Sequence, residues 1–116
     1  MSDTRVRPRG FPPNPDGYTP VVSLDEIKSY LRIDQLDEDD KLQFFERVAR
    51  ARTEGQLLYA IGGPDPDTGE PTPITDDDRN AVLVYIEYLY DNPDGQADIP
   101  QAFFDLTWNN RQFEFY

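Results

Sequence analysis

The longest helical pattern of the chain runs from Asp37 to Ile61, in the sequence DEDDKLQFFERVARARTEGQLLYAI. Apolar residues recur there at helical spacing behind an acidic opening, and the pattern stops at Gly62-Gly63-Pro64. Asp37 is placed to cap the first turn, and Gly62 to take the left-handed position after the last turn. At about 1.5 Å per residue this helix would be about 40 Å long, so we expect the rest of the fold to pack along it.

The apolar residues of this long helix form two faces, because successive residues turn by about 100°. The first face consists of Leu42, Phe45, Val48 and Ala49, and the second of Leu57, Leu58 and Ile61. Either different elements of the same chain cover the two faces, or the second face is a contact between subunits. Gly55 lies between the faces, where it would permit a bend or the close approach of another backbone.

Three shorter helices are predicted around the long one. The first follows Ser23 and Glu26, which stand at capping-box spacing, and ends near Arg32. Thr75 caps the next, which contains the apolar run AVLVYIEYLY, and the last opens at Ile99-Pro100. The predicted fold class is therefore all-α, a small bundle of about four helices around one long central helix.

Residues 1–21 are rich in proline and lack apolar periodicity, so they predict an extended N-terminal arm. The arm is either a tail without a fixed partner or a segment that docks on a neighbour. The candidate contacts with neighbouring subunits are Arg5, Arg7, Arg9, Phe11 and Tyr18. The predicted division of the chain is this arm, a helical domain over residues 22–110, and an aromatic tail over residues 111–116.

Residues 62–75, GGPDPDTGEPTPIT, contain too many prolines and glycines for a helix and predict a Pro/Gly loop or a small hairpin. The acidic residues of this loop match a calcium-binding loop only in part, because the full twelve-residue ligand pattern is missing. We therefore predict no metal site there.

The composition argues against several classes of function. The chain has 23 acidic and 11 basic residues and a net charge of −12, so its surface repels the phosphates of nucleic acids. It has no His and no Cys, which removes the usual general base and the thiolate metal ligands. There is no Gly-rich phosphate loop, no apolar run of membrane-spanning length and no signal-peptide pattern. We predict a protein that is not an enzyme, binds no cofactor and is made in the cytoplasm.

The strong acidity has two further explanations that stay open. It suits a halophilic host, where salt screens the repulsion between like charges, or it reflects a GC-rich genome. A melting temperature that rises between low and molar salt would favour the first explanation.

The order of the segments resembles the head-tail connector, or adaptor, proteins of tailed phages, in the HK97-like family. The segments that carry the resemblance are VSLDEIKSYLRID, DEDDKLQFFERVARARTEGQLLYAIG, ITDDDRNAVLVYIEYLYDN and IPQAFFDLTWNNRQF. They extend over residues 21–113. The Pro-rich arm and the aromatic end after Arg111 depart from the family pattern.

The resemblance implies an all-α protomer that assembles into a ring, usually a dodecamer, under the portal at the neck of the virion. Such a ring extends the DNA channel and provides the docking platform for a stopper or tail-completion protein. The partners implied are other copies of the chain, the portal protein, the stopper or tail-completion protein and a capsid protein. DNA would pass without specific binding, assembly would take place in the host cytoplasm, and no membrane is involved.

The aromatic C-terminal end is the predicted portal contact, because aromatic side chains are favoured at protein interfaces. The candidates are Trp108, Arg111, Phe113, Phe115 and Tyr116. The alternative function is a soluble acidic adaptor or regulator, or a DNA mimic, that binds a basic partner.

Overall fold

The computed structural model describes residues 11–34, 37–95 and 97–108. Within these ranges the chain forms four helices, which are α1 (Leu24–Leu31), α2 (Asp39–Leu57), α3 (Asp76–Asp91) and α4 (Gln101–Trp108). The long helix α2 packs against α1, α3 and α4, and α3 also contacts α1 and α4. The prediction of an all-α bundle around one long helix is therefore confirmed for the described residues.

Side-chain caps fix the starts of α1 and α3. Oγ of Ser23 accepts a hydrogen bond of 3.1 Å from the N–H of Glu26, whose carboxylate accepts one of 2.8 Å from the N–H of Ser23. Oγ1 of Thr75 accepts a hydrogen bond of 3.1 Å from the N–H of Asp78. These bonds satisfy N–H groups that have no partner inside a helix, so both predicted caps are confirmed.

The start of α2 differs from the prediction. The helix begins at Asp39, and Glu38 occupies the cap position without a side-chain cap hydrogen bond. The Glu38 carboxylate instead accepts a hydrogen bond of 2.6 Å from the Tyr90 hydroxyl and pairs with Lys41 at 3.2 Å. The prediction that Asp37 caps this helix is wrong, because Glu38 takes that position and ties the first turn of α2 to the end of α3.

The end of α2 also differs, since the helix stops at Leu57 and not at Ile61. Leu58 adopts a left-handed backbone with φ 67°, and its N–H donates to the carbonyl oxygen of Glu54 at 2.8 Å. Side chains then hold the backbone of Ile61 outside the helix. Its N–H donates to the Glu54 carboxylate at 2.8 Å, and its carbonyl oxygen accepts from Arg50 at 2.9 Å. These two bonds stabilise a turn where the apolar pattern alone predicted more helix.

The segment between α2 and α3 is a hairpin-like loop. Gly62, with φ 72°, begins this loop and does not cap α2 as predicted. Pro64 and Pro71 form an isolated antiparallel bridge, next to a hydrogen bond of 2.7 Å from the N–H of Asp65 to the carbonyl oxygen of Glu70. Oδ1 of Asp65 also accepts hydrogen bonds from the N–H groups two and three residues later. The acidic residue that resembled a calcium ligand thus stabilises the turn.

The hydrophobic core lies where α2, α3 and α4 meet. Its buried apolar residues are Val21, Val22, Ile27, Leu42, Ala49, Leu57, Ile61, Ala81, Val82, Tyr85, Ile86 and Phe103. The rings of Tyr85 and Phe103 lie 4.9 Å apart in an edge-on arrangement, which joins α3 to α4. Val21 and Val22 belong to the segment before α1 and the others to helices or to the turn after α2, so this segment also contributes to the core.

Candidate interaction surfaces

Residues 11–20, here called the strap, lie along α2 of their own chain. At one end, the ring of Phe11 lies 5.3 Å from the ring of Phe44 and 6.3 Å from that of Phe45. At the other end, the hydroxyl of Tyr18 donates a hydrogen bond of 2.6 Å to Oε1 of Glu46. Two aromatic residues, seven positions apart, therefore anchor the strap to one helix.

Two arginines of α2 bind the strap between and beside these anchors. Arg47 donates a hydrogen bond of 2.9 Å to the carbonyl oxygen of Pro12 and another to the side-chain oxygen of Asn14. Arg50 donates one of 3.0 Å to the carbonyl oxygen of Thr19, and its guanidinium lies over the ring of the strap tyrosine. A Pro-rich segment forms few hydrogen bonds of its own, so these donors satisfy carbonyl groups that would otherwise need water.

Glu46 lies beneath the strap and is a buried carboxylate, which proteins rarely tolerate unless hydrogen-bond donors compensate for the lost water. Only 2% of its surface is exposed. Besides the Tyr18 hydroxyl on Oε1, the N–H of Val21 donates to Oε2 at 2.7 Å. Burial raises the pKa of Glu46, although both hydrogen bonds favour its charged form. Burial and the hydrogen bond to Glu46 together raise the pKa of Tyr18 to about 12.

A second surface lies at the C-terminal end of α2, where a cleft of about 470 Å³ opens between this end, the following loop and the start of α3. Leu58 and three prolines of the loop are among the residues that line it, and Leu58 is 50% exposed. The Tyr59 hydroxyl donates a hydrogen bond of 3.1 Å to the buried carboxylate of Asp78, which also lines the cleft. Burial and the charge of Asp78 raise the pKa of Tyr59 to about 12.

Another cleft, of about 370 Å³, lies beside α4. It is lined by Gln56, Gln101, Phe104, Asp105 and Trp108. Because Gln56 borders this cleft and Leu58 borders the first, the two clefts flank the C-terminal end of α2. We call this region the end surface. It carries Trp108, 60% exposed, and Leu58, which are the two most exposed large apolar side chains among the described residues.

The predicted intersubunit face is wrong at two of its three positions. Leu57 and Ile61 are each 1% exposed and belong to the core of their own chain. The reason is the turn at Leu58, which directs Ile61 inward. Leu58 alone remains on the surface, so its contact with another subunit stays a prediction.

The structure places two of the predicted arm contacts on the chain itself. Phe11 and Tyr18 were expected to meet a neighbouring subunit, but Phe44 and Glu46 of the same chain complete their contacts. The other arm candidates, Arg5, Arg7 and Arg9, lie outside the described residues.

Among the portal candidates, the structure describes only Trp108, which is exposed on the end surface. Arg111, Phe113, Phe115 and Tyr116 lie outside the described residues. A contact between any of these residues and a portal stays a prediction.

The sequence reading missed Glu46, although its position in the pattern contained a signal. The buried stripe of α2 runs through Leu42, Glu46, Ala49 and Thr53, at helical spacings of four, three and four. A carboxylate in the middle of a buried stripe requires hydrogen-bond donors from another segment. The sequence gives no indication of which segment supplies them, because Tyr18 lies 28 residues away.

In residues 11–34, 37–95 and 97–108, no group of three or more His, Cys, Asp or Glu side chains is placed to hold a metal ion. Among the same residues, no helix is both long and apolar enough to cross a membrane. Comparison of the chain with protein-family models, with curated proteins and with solved structures gave no match.

Proposed function

We propose that this protein is the subunit of a head-tail adaptor ring in a tailed virus. The ring lies under the portal at the virion neck, extends the DNA channel and provides the docking platform for a stopper or tail-completion protein. The proposal rests on the resemblance of residues 21–113 to the connector family. It requires no catalysis and no cofactor.

The observation that carries the proposal is the agreement between the resembling segments and the four helices. Each segment contains one helix: α1 lies within residues 22–34, α2 within 37–62, α3 within 74–92 and α4 within 99–113. The caps at Ser23 and Thr75 start α1 and α3 inside these segments. The four-part order that suggested the family is therefore also the order of the folded elements.

The end surface supports a role in assembly. Exposed large apolar side chains beside clefts are features of protein contact sites. Leu58 and Trp108 lie beside clefts of about 470 and 370 Å³, which are large enough to receive side chains of another subunit or of the portal. A contact between this end of one subunit and a different face of the next forms a ring when the rotation between subunits closes.

The net charge of −12 suits a DNA channel. A wall of carboxylates repels the phosphate backbone and so lets DNA pass without binding. In this proposal some of the 23 acidic residues face the channel.

The test is the mass and shape of the particles, measured by native mass spectrometry and negative-stain microscopy, with and without co-expressed portal protein from the same genome. We expect rings stacked on the portal. Leu58→Ala combined with Trp108→Ala should reduce ring formation, whereas Tyr30→Ala, a change at an exposed aromatic residue outside the end surface, should not. A monomer or small oligomer that does not bind the portal protein would contradict the proposal.

Portal docking is assigned to the C-terminal end, including Trp108 and residues 111–116. Deleting residues 111–116 should abolish portal binding and leave the helical circular dichroism intact. Loss of helix would instead assign these residues to the fold of the subunit.

The acidity of the chain favours a second candidate, an acidic regulator or DNA mimic. Such a protein is monomeric or dimeric and binds a basic protein through long-range attraction, so its affinity falls steeply with salt. Pull-down of a basic protein at low salt and its release at high salt, by a chain that forms no rings, would favour this candidate.

A further inference from the structure

The strap contacts α2 as a bound peptide contacts its receptor. Phe11, Asn14 and Tyr18 are its partly buried residues, and the other seven are exposed. The hydrogen bonds described above between the strap and the rest of the chain are all made with side chains of α2. The strap is therefore held by side chains and not by a β-ladder or a helix. We call its receptor the strap site, which consists of Phe44, Phe45, Glu46, Arg47 and Arg50.

The strap site contacts an aromatic ring and two backbone carbonyl groups of the strap, while all four strap prolines are exposed. Aromatic rings receive a ring of the peptide, and side-chain donors bind the carbonyl groups that an extended Pro-rich backbone leaves free. Here Phe44 and Phe45 receive a ring, while Arg47 and Arg50 donate to two carbonyl groups. Prolines hold φ near −65°, which lowers the entropy that the segment loses when it docks. The strap also contains a turn at Asp16-Gly17, which a hydrogen bond of 3.1 Å from the N–H of Tyr18 to the carbonyl oxygen of Pro15 closes.

The strap ends at a natural pivot. Val21 and Val22, which follow it, are 2% and 1% exposed, and the N–H of Val21 stays fixed on Glu46. The ring fixes φ of Pro20, but rotation about ψ of this exposed residue can lift the strap without moving the core. Without the strap, Oε1 of Glu46 loses the hydrogen bond from the Tyr18 hydroxyl. Phe44 and Phe45 lose their contact with the ring of Phe11.

We propose that the strap site is a binding site for Pro-rich protein segments that carry two aromatic anchors seven residues apart, and that the strap is its intramolecular occupant. A partner segment of this chemistry binds by displacing the strap. Because a tethered segment has an effective concentration in the millimolar range, the strap lowers the apparent affinity for such partners. The proposal requires neither a ring nor a portal, so it stands independently of the proposed function.

The test uses the synthetic peptide FPPNPDGYTP, which is residues 11–20, and two full-length proteins. One is the wild type and the other carries Phe11→Ala and Tyr18→Ala, which remove both anchors of the tethered strap. Peptide binding is followed by two-dimensional NMR of the labelled protein. We expect saturable shifts of α2 resonances and an apparent Kd at least about tenfold lower for the variant, because its internal competitor is weakened.

Two controls examine the site and the ligand. A peptide in which both aromatic residues are alanine should not bind. The strap variant with Arg47→Gln and Arg50→Gln added should lose binding of the unmodified peptide.

Absence of saturable shifts in the strap variant at millimolar peptide would overturn the proposal, as would equal binding of the alanine peptide. Circular dichroism checks that each variant is folded. If the double variant has lost its helices, Phe11→Ala alone takes its place, since it keeps the hydrogen bond between Tyr18 and Glu46, and the same criteria apply.

Discussion

The Tyr18 hydroxyl donates a hydrogen bond of 2.6 Å to Oε1 of Glu46, across 28 residues of sequence. This bond joins the segment before α1 to the middle of the longest helix. It also satisfies a carboxylate that the fold buries almost completely. The strap is therefore part of the fold in the isolated chain, and its removal takes from the buried Glu46 carboxylate the donor on Oε1, while the N–H of Val21 remains on Oε2.

Tyr18→Phe should lower the free energy of unfolding by about 1–3 kcal/mol, because it leaves a buried acceptor unsatisfied while the ring stays in place. The measurement is equilibrium denaturation in urea. Tyr30→Phe is the matched control: its hydrogen bond to Glu87 is 3.4 Å long and exposed, so the change should stay within about 0.5 kcal/mol. Equal effects of the two substitutions would contradict the importance of the Tyr18 bond.

Tyr18 should also titrate later than an ordinary tyrosine, since its pKa is raised from 10.0 to about 12. Its phenol stays protonated in the folded state where the unfolded state already ionises. Its contribution to stability is therefore complete below pH 10 and is lost as the pH rises from 10 towards about 12. The difference in tyrosinate absorbance between the wild type and Tyr18→Phe should titrate near pH 12. A difference that titrates near pH 10 would refute the shift.

Leu57→Ala and Leu58→Ala test where α2 ends. Leu57 is 1% exposed, so its truncation should cost about 2–5 kcal/mol of unfolding free energy. Leu58 is 50% exposed, and its truncation should cost less than about 0.5 kcal/mol. Thermal and urea denaturation measure both. Similar losses at the two positions would mean that the helix continues past Leu57 with both side chains buried.

Gly55→Ala should raise the stability of the isolated chain by about 0.5–1 kcal/mol, because glycine is unfavourable inside a helix. A Cβ atom at Gly55 would meet no other atom within 4 Å, so the substitution fits the single chain. If assembly brings another backbone close to this position, the same variant will be more stable and yet form fewer rings. Denaturation and native mass spectrometry on one sample separate the two effects.

Trp108 is the single tryptophan of the chain, so its fluorescence reports on the end surface. In the free chain, with 60% of its surface exposed, its emission should be red-shifted and readily quenched by acrylamide. On assembly with the portal the emission should move to shorter wavelength and quenching should fall. Unchanged emission in particles that contain both proteins would place Trp108 outside the interface.

The parts of the fold that depend on local sequence could be predicted. Capping at Ser23 and Thr75 and the Pro/Gly loop after α2 each depend on a few neighbouring residues, and all were found where the pattern placed them. Periodicity also identified the long helix. Its two ends were misplaced because side chains of other turns decide them: Glu38 binds Tyr90, and Glu54 binds the backbone of Ile61.

The strap could not be placed from sequence, because its hydrogen bonds join residues 28 to 35 positions apart. Proline content predicted that residues 11–20 are extended, but an extended segment can dock on its own chain or on another. The hydrogen bond to Glu46 helps to place the strap on its own chain. A pattern analysis gives no weight to this residue, because it treats a single charge in an apolar stripe as an irregularity. Recognition of the end surface was partial, since Leu58 and Trp108 were candidate contacts, while the pattern left open whether elements of the same chain or another subunit cover Leu57 and Ile61.

The distance in sequence between the strap and its receptor has a consequence for synthesis. Thr19 of the strap leaves the ribosome 31 residues before Arg50, which is the second of the two arginines that bind the strap. At about 5–20 residues per second, the strap waits for seconds without its receptor. During that interval Phe11 and Tyr18 lack the contacts with α2 that partly bury them in the folded chain. The strap is thus among the first parts of the described chain to be made, and the residues that bind it are complete before α3 and α4 have been made.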